Sequence, residues 1–292
     1  MKGNEIMDLK YSVVLNTLNT GDTGCSVWTH PDDMLRFIAD AGYDAVDLDG
    51  EPERIERERY HEVRDLALSM GLKIPALLGA WAPWHCGQER DLCSLDEEVR
   101  LRGVTYAKRA VDLAAEFEQP PLFQLCACPI KNEYPLSATP IDTLRRQFVR
   151  SAAEIATYAD PKGVNIAIEP INKFEGHAGF MNSIPEALSV IDEIDASNMG
   201  IQADFFHMNM EDRHLSETLK LTEGRLMHIH LAESNRYLLG TGHLDFASIV
   251  RTLKEMNFSG YLSMDSVPAK PDWKTVVEQG ISYMKRMEHQ AV

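Results

Sequence analysis

Three carboxylates and one imidazole, Glu169, Asp204, His230 and Asp265, stand where strand-like runs give way to loops. The runs read Ile166-Ala167-Ile168-Glu169, Gly200-Ile201-Gln202-Ala203-Asp204, Met227-His228-Ile229-His230 and Tyr261-Leu262-Ser263-Met264-Asp265. Each delivers a polar side chain at the end of a mostly apolar segment. A carboxylate in that place also suits the capping of the next helix, so none of the carboxylates is informative alone. Together the residues form a donor set for a divalent cation that prefers oxygen, because a structural zinc site draws on thiolates or more histidines. Mn²⁺ is the first expectation, since it tolerates an imidazole more readily than Mg²⁺ does; Mg²⁺ and Co²⁺ are the alternatives.

These residues can meet only if the strands that carry them end on one face, as parallel strands closed into a barrel do. The rest of the chain supplies the pattern, with strand-like and helix-like segments alternating from end to end. Strands are expected at 11–17, 45–49, 73–79 and 122–127, ahead of the ligand-bearing runs. Helices are expected at 31–42, 53–70, 95–117, 141–158, 183–194, 214–222, 245–256 and 273–287. Eight strands and eight helices make an α/β fold, a (β/α)8 TIM barrel, with residues 1–292 as a single domain of ordinary barrel length. An open doubly wound sheet is the rival, but no Gly-x-Gly-x-x-Gly turn follows the first strand. In the long loop after the third strand, Trp81, Trp84 and His85 are expected to wall a pocket. His228 is expected to face away from His230 and to sit in the core, while Glu233 suits either a ligand-orienting or a solvated role.

A formal net charge of −16 repels phosphate backbones and anionic lipid, so nucleic acid and membrane surfaces are poor partners. The five cysteines, Cys25, Cys86, Cys93, Cys126 and Cys128, form no Cys-x-x-Cys pair, which argues against a disulfide framework and a zinc ribbon. No apolar h-region opens the chain and no apolar run reaches spanning length, so a cytoplasmic protein is expected.

Within 164–265 the wording becomes specific. Glu169-Pro170-Ile171-Asn172-Lys173-Phe174-Glu175, Asp204-Phe205-Phe206-His207-Met208-Asn209 and His228-Ile229-His230-Leu231-Ala232-Glu233-Ser234-Asn235-Arg236 resemble, in order, three motifs of the D-tagatose 3-epimerase and D-psicose 3-epimerase family, within the xylose-isomerase-like barrels. Gly240-Thr241-Gly242 resembles that family's Gly-x-Gly loop. The resemblance implies that Glu169, Asp204 and His230 bind metal, that Glu169 also carries a proton, and that Glu175, His207 and Arg236 hold the sugar. It also implies a homo-oligomer. Two positions depart from the pattern: Lys173 replaces an Arg and loses the planar fork, and Asp265 replaces a Glu and is one methylene shorter.

The implied chemistry follows from the cation. A hydroxyl and a carbonyl on adjacent carbons, both bound to one divalent ion, make the intervening C–H acidic by stabilising an enediolate. Glu169 and Asp265 acting on two faces would give epimerisation, whereas one carboxylate moving the proton between carbons would give aldose–ketose isomerisation. Without a Gly-rich anion cradle or a basic cluster, an unphosphorylated ketose or related keto-polyol is the expected substrate. The alternatives are a 3-keto-glycoside-processing lyase on the same site and, in another class, a non-catalytic sugar-binding barrel. An apurinic-site endonuclease would need more histidines and a basic DNA-facing surface.

Overall fold

The computed structural model of the chain describes residues 8–15, 26–81, 87–127, 140–176 and 179–291. Its strands are β1 (Lys10–Val14), β2 (Ala45–Gly50), β3 (Ala76–Gly79), β4 (Leu122–Leu125), β5 (Ile166–Ile168), β6 (Met199–Asp204), β7 (Leu226–Leu231) and β8 (Tyr261–Met264). They pair in chain order and β8 returns to β1 in parallel, closing the expected barrel. Around it run α1 (Pro31–Ala41), α2 (Arg57–Ser69), α3 (Glu97–Ala114), α4 (Ile141–Ala159), α5 (Ile184–Ile194), α6 (Phe205–Glu211), α7 (Leu215–Leu221), α8 (Phe246–Glu255) and α9 (Trp273–Gln290).

Local sequence explains these elements. Helix α8 starts because Asp245 accepts a hydrogen bond from the Ser248 N–H at 3.0 Å, and it buries Phe246, Ile249, Val250 and Leu253, spaced to fall on one face. Helix α1 opens on Pro31, where a missing N–H costs nothing, and turns Met34, Leu35 and Ile38 inward. The third strand is shorter than its sequence suggests, because Pro75 has no N–H to give a ladder and Lys73 makes only an isolated bridge to Ala45. Residues 16–17 of the expected first strand lie outside the described residues. The short helix α6 was not expected, and Asp204, at the end of β6, caps it. Among the described residues, no helix is long and apolar enough to cross a membrane.

Strands that are not neighbours meet only across the inside of a barrel, so cross-strand contacts map its interior. Val14, Ala76, Leu78, Leu122 and Ala167, from β1, β3, β4 and β5, form one apolar cluster against which Met227 of β7 packs. A polar layer completes the interior, because Asp47 of β2 meets His228 of β7 at 2.7 Å and Ser12 of β1 at 2.9 Å. Met227 and His228 are adjacent, and in a regular strand adjacent side chains face opposite ways. A bulge reconciles them. Ile201 pairs with Leu226 but Gln202 pairs with His228, leaving Met227 as the extra residue. Room for it comes from Gly200 and Gly260, where an added Cβ would stand 2.7 Å from the Met227 Cγ and 2.5 Å from the Met227 carbonyl oxygen.

This arrangement corrects the expectation for His228. Residues two apart on a strand share a face, and the His228 and His230 rings lie 5.7 Å apart between centroids inside the barrel. His228 is buried, as expected, but on the same side as His230. Trp81 is likewise buried in the core, donating from Nε1 to the Gln124 carbonyl at 3.2 Å and packing edge-on against Tyr106. Trp84 and His85 lie outside the described residues.

Candidate active site

The bulge sets the register on which the site depends. Beyond it Asp204 pairs with His230; an unbroken ladder would have put Ile229 there instead. His230 then stands among three carboxylates, all buried with it. Its Nδ1 lies 3.2 Å from Glu169 Oε1 and 3.9 Å from both Asp204 Oδ2 and Asp265 Oδ2. The four residues picked out in the sequence therefore converge at the strand C-termini.

Each carboxylate is tethered by one oxygen. Glu169 Oε2 accepts a short hydrogen bond from the Gln124 amide, Asp204 Oδ1 accepts from the Phe206 N–H at 2.7 Å, and Asp265 Oδ2 accepts from Arg236 Nη2 at 2.9 Å. Asp204 thus does cap a helix, yet only with Oδ1. Its Oδ2 is buried, accepts no hydrogen bond and points at the ring.

Charge in this cluster is short of a partner. Burial pushes the Asp204 carboxyl above its ordinary range; the charges of Glu169 and Asp265 add to that, against His207 and Arg236. Burial would raise Glu169 too, but the charge and hydrogen bond of His230 outweigh it and hold the group down to about 2. His230 shows the converse: burial opposes its protonation, and Glu169, Asp265 and Asp204 nevertheless raise it to about 10. A proton on His230 therefore sits where three carboxylates call for positive charge. Two of their oxygens and Nδ1 surround that point, and the unpartnered Asp204 oxygen faces it, so the donor set fits a divalent cation that takes oxygen and imidazole.

His207 is held differently. Its Nδ1 accepts from the Asn172 backbone N–H at 3.3 Å and from the Asn172 side-chain amide at 2.7 Å. A backbone N–H can only donate, so the neutral ring carries its proton on Nε2, 3.7 Å from Asp204 Oδ2. Such a nitrogen gives a hydrogen bond and offers no lone pair to a metal. Arg236 lies across the mouth, reaching Glu175 from Nη1 at 3.1 Å and stacking 4.9 Å over the Phe206 ring. Its backbone sits at φ 58°, uncommon for a residue with a side chain, in a turn closed by its N–H to the Glu233 carbonyl at 2.7 Å. Lys173 is drawn to Glu211 at 3.7 Å.

Glu233 orients a loop and is not solvated. It is fully buried and accepts from the backbone N–H groups of Ser234 at 2.8 Å, Gly240 at 3.0 Å and Leu244 at 3.2 Å. Sequence reading missed Gln124, a lone amide in an apolar strand, and assigned no part to Asn172, Asp47 or Gln202. The signal for Gln124 was its place two residues beyond Leu122, on the inward face of β4.

The family described as xylose isomerase-like TIM barrel matches residues 35–287. An L-ribulose 3-epimerase of Methylomonas sp. is 30% identical over 202 residues, 69% of this chain and 69% of the relative. A 3-dehydro-D-guloside 4-epimerase of Escherichia coli is 26% identical over 233 residues, 79% and 84% of the two chains. Among solved structures, the 3-keto-D-glucoside 4-epimerase of Escherichia coli superposes with a TM-score of 0.81 over 96% of this chain and 100% of its own, at 22% identity, a likeness of fold.

Proposed function

From its membership of the xylose isomerase-like TIM-barrel family, we propose that the chain is a divalent-metal-dependent epimerase or isomerase of an unphosphorylated ketose or related keto-polyol. The observation that carries this is the convergence of Glu169, Asp204, His230 and Asp265 around a point that the unpartnered Asp204 oxygen faces. Those four residues would hold the ion, with Mn²⁺ as first choice. When bound, the ion would supply the positive charge that makes a C–H beside a carbonyl acidic.

The protein's own groups do the rest. Glu169 is the base, its carboxylate anchored on one oxygen by Gln124 so that the other stays aimed inward. Asp265 arrives from β8 and Glu169 from β5, with β6 and β7 between them, so the two address the substrate from different sides. A proton taken by one and returned by the other to the opposite face of the same carbon inverts a stereocentre; one taken by Glu169 and returned to the adjacent carbon, with the hydroxyl proton passing to the former carbonyl oxygen, moves the carbonyl along the chain. The Nε2–H of His207 donates to a hydroxyl or carbonyl oxygen of the sugar, and Arg236 and Glu175 hold its end. Both cations of the motifs are already paired, Arg236 with Asp265 and Glu175 and Lys173 with Glu211, which favours an uncharged polyol over a sugar phosphate.

A panel of ketohexoses, inososes and 3-keto-glucosides, incubated with the Mn²⁺-loaded protein in deuterium oxide, tests the reading. Deuterium is expected at the carbon beside the carbonyl of one class, even where net turnover is slow. No uptake from any member would sink the proposal, and release of an aglycone from the keto-glucosides would move it to elimination.

A further inference from the structure

Directly beneath the ligands the barrel carries Ser12, Asp47, His228 and Ser263, all buried, where the interior of such barrels is ordinarily filled by branched apolar side chains. A buried ion pair is weak as a source of stability, because the desolvation of its charges offsets most of their attraction. The layer therefore calls for another explanation. Asp47 is fixed on both oxygens: Oδ1 accepts from Ser12 Oγ at 2.9 Å and Oδ2 from His228 Nε2 at 2.7 Å, while Ser263 Oγ stands 2.9 Å from the same ring nitrogen. The same Oδ2 lies 4.0 Å from His230 Nε2.

His230 thus has two unlike sides. The three carboxylates face Nδ1, and Asp47 stands behind Nε2. Gln202 flanks the ring, with its amide nitrogen 3.2 Å from Nε2 and 3.4 Å from Nδ1 and its Oε1 buried without a partner. The negative charge of Asp47 behind Nε2 favours the tautomer that keeps the proton there and leaves the Nδ1 lone pair facing forward.

We propose that Asp47, locked in place by Ser12 and His228, is a positioning residue for His230, holding the ring so that Nδ1 is presented to the cation, and that the Asp47–His228 layer is not itself a second cation site. This rests on the metal reading above. Asp47, His228 and His230 do lie close enough to form a ligand group of their own. However, the His228 nitrogen that faces Asp47 is spent as a donor, so no lone pair on it is directed at that point.

Binding of Mn²⁺ to the full chain, followed by the EPR signal of the free ion, decides the matter. Wild type should take up one ion per chain, and Asp47→Asn should still take up one but bind it roughly 10- to 100-fold more weakly. His228→Gln retains a donor for Asp47 and should stay within about threefold of wild type, whereas His228→Leu, without a donor, should weaken binding as Asp47→Asn does. This pair carries the test if Asp47→Asn does not fold, because a merely structural role would leave both variants with the affinity of wild type. Wild-type affinity in Asp47→Asn or in His228→Leu overturns the proposal. Two ions in wild type and one in Asp47→Asn also overturn it, by making Asp47 a ligand. A wild type that binds no Mn²⁺ overturns the metal reading itself, and the two failures are thereby told apart.

Discussion

At the scale of single residues, the site is organised by what each side chain has already given away. The three carboxylates favour a proton on His230, and it must leave before Nδ1 can bind a cation. Since that proton is held up to about 10, affinity for Mn²⁺ should rise as pH rises from 6 to 9, by up to about tenfold per unit. Calorimetry in buffers of different ionisation enthalpy should show about one proton released per ion bound; no release would remove His230 from the ligand set. Arg236 and His230 should separate in mutants. His230→Ala should lose metal and activity together, whereas Arg236→Ala should keep near-normal metal content and lose roughly 10²-fold or more in kcat/KM, through substrate held less well. Loss of stoichiometric metal from Arg236→Ala would count against that division. Both positions stand out in the sequence within one run, His228 to Arg236, with His230 near the end of β7 and Arg236 in the turn that follows.

At the scale of elements, the decisive feature is one extra residue in β7. The sequence displays His228 and His230 plainly, but nothing local marks Met227 as the residue left without a partner, because a bulge is defined by pairing with another strand. For the same reason the polar layer beneath the site could not be read: Asp47 and His228 are 181 positions apart and meet only after closure. The face of His228 relative to His230 was within reach, since period two alone places them together. The two glycines beside Met227 give a test. Gly200→Ala would drive a Cβ to 2.7 Å from the Met227 side chain and to 2.5 Å from the Arg225 carbonyl oxygen, forcing the strand to shift. About 1–3 kcal/mol of stability should be lost, as for other overpacked interiors, and Mn²⁺ affinity should fall with it, as Asp204 and His230 slip out of register. Denaturant unfolding and metal titration of the variant check both. A loss of stability with metal affinity intact would detach the bulge from the site.

At the scale of the whole molecule, eight short strands hold together a cluster of charge that alone would push them apart. A bound cation should therefore stabilise the entire fold, by about 2.7 kcal/mol when present at a hundred times its dissociation constant, which is a rise of a few degrees in melting temperature. Scanning calorimetry with EDTA and then with excess Mn²⁺ should show that rise in wild type and none in His230→Ala; an equal rise in both would place the stabilising ion elsewhere. The global architecture was the most legible level of all, since the alternation of strand and helix recurs around the whole barrel and local errors in the bounds of individual elements do not change its closure.

The bulge in β7 has a further meaning as a change of parity. At the bulge itself the strand offers the interior an odd-numbered residue, Met227; above it the even-numbered His228 and His230. One strand thus serves two compartments that obey opposite counting rules, a hydrocarbon floor and a charged ceiling. Drift in the floor need not disturb the numbering of the ceiling. Conversely, an alignment that treats β7 as one unbroken strand would, for any relative lacking the extra residue, assign the wrong half of its side chains to the inside.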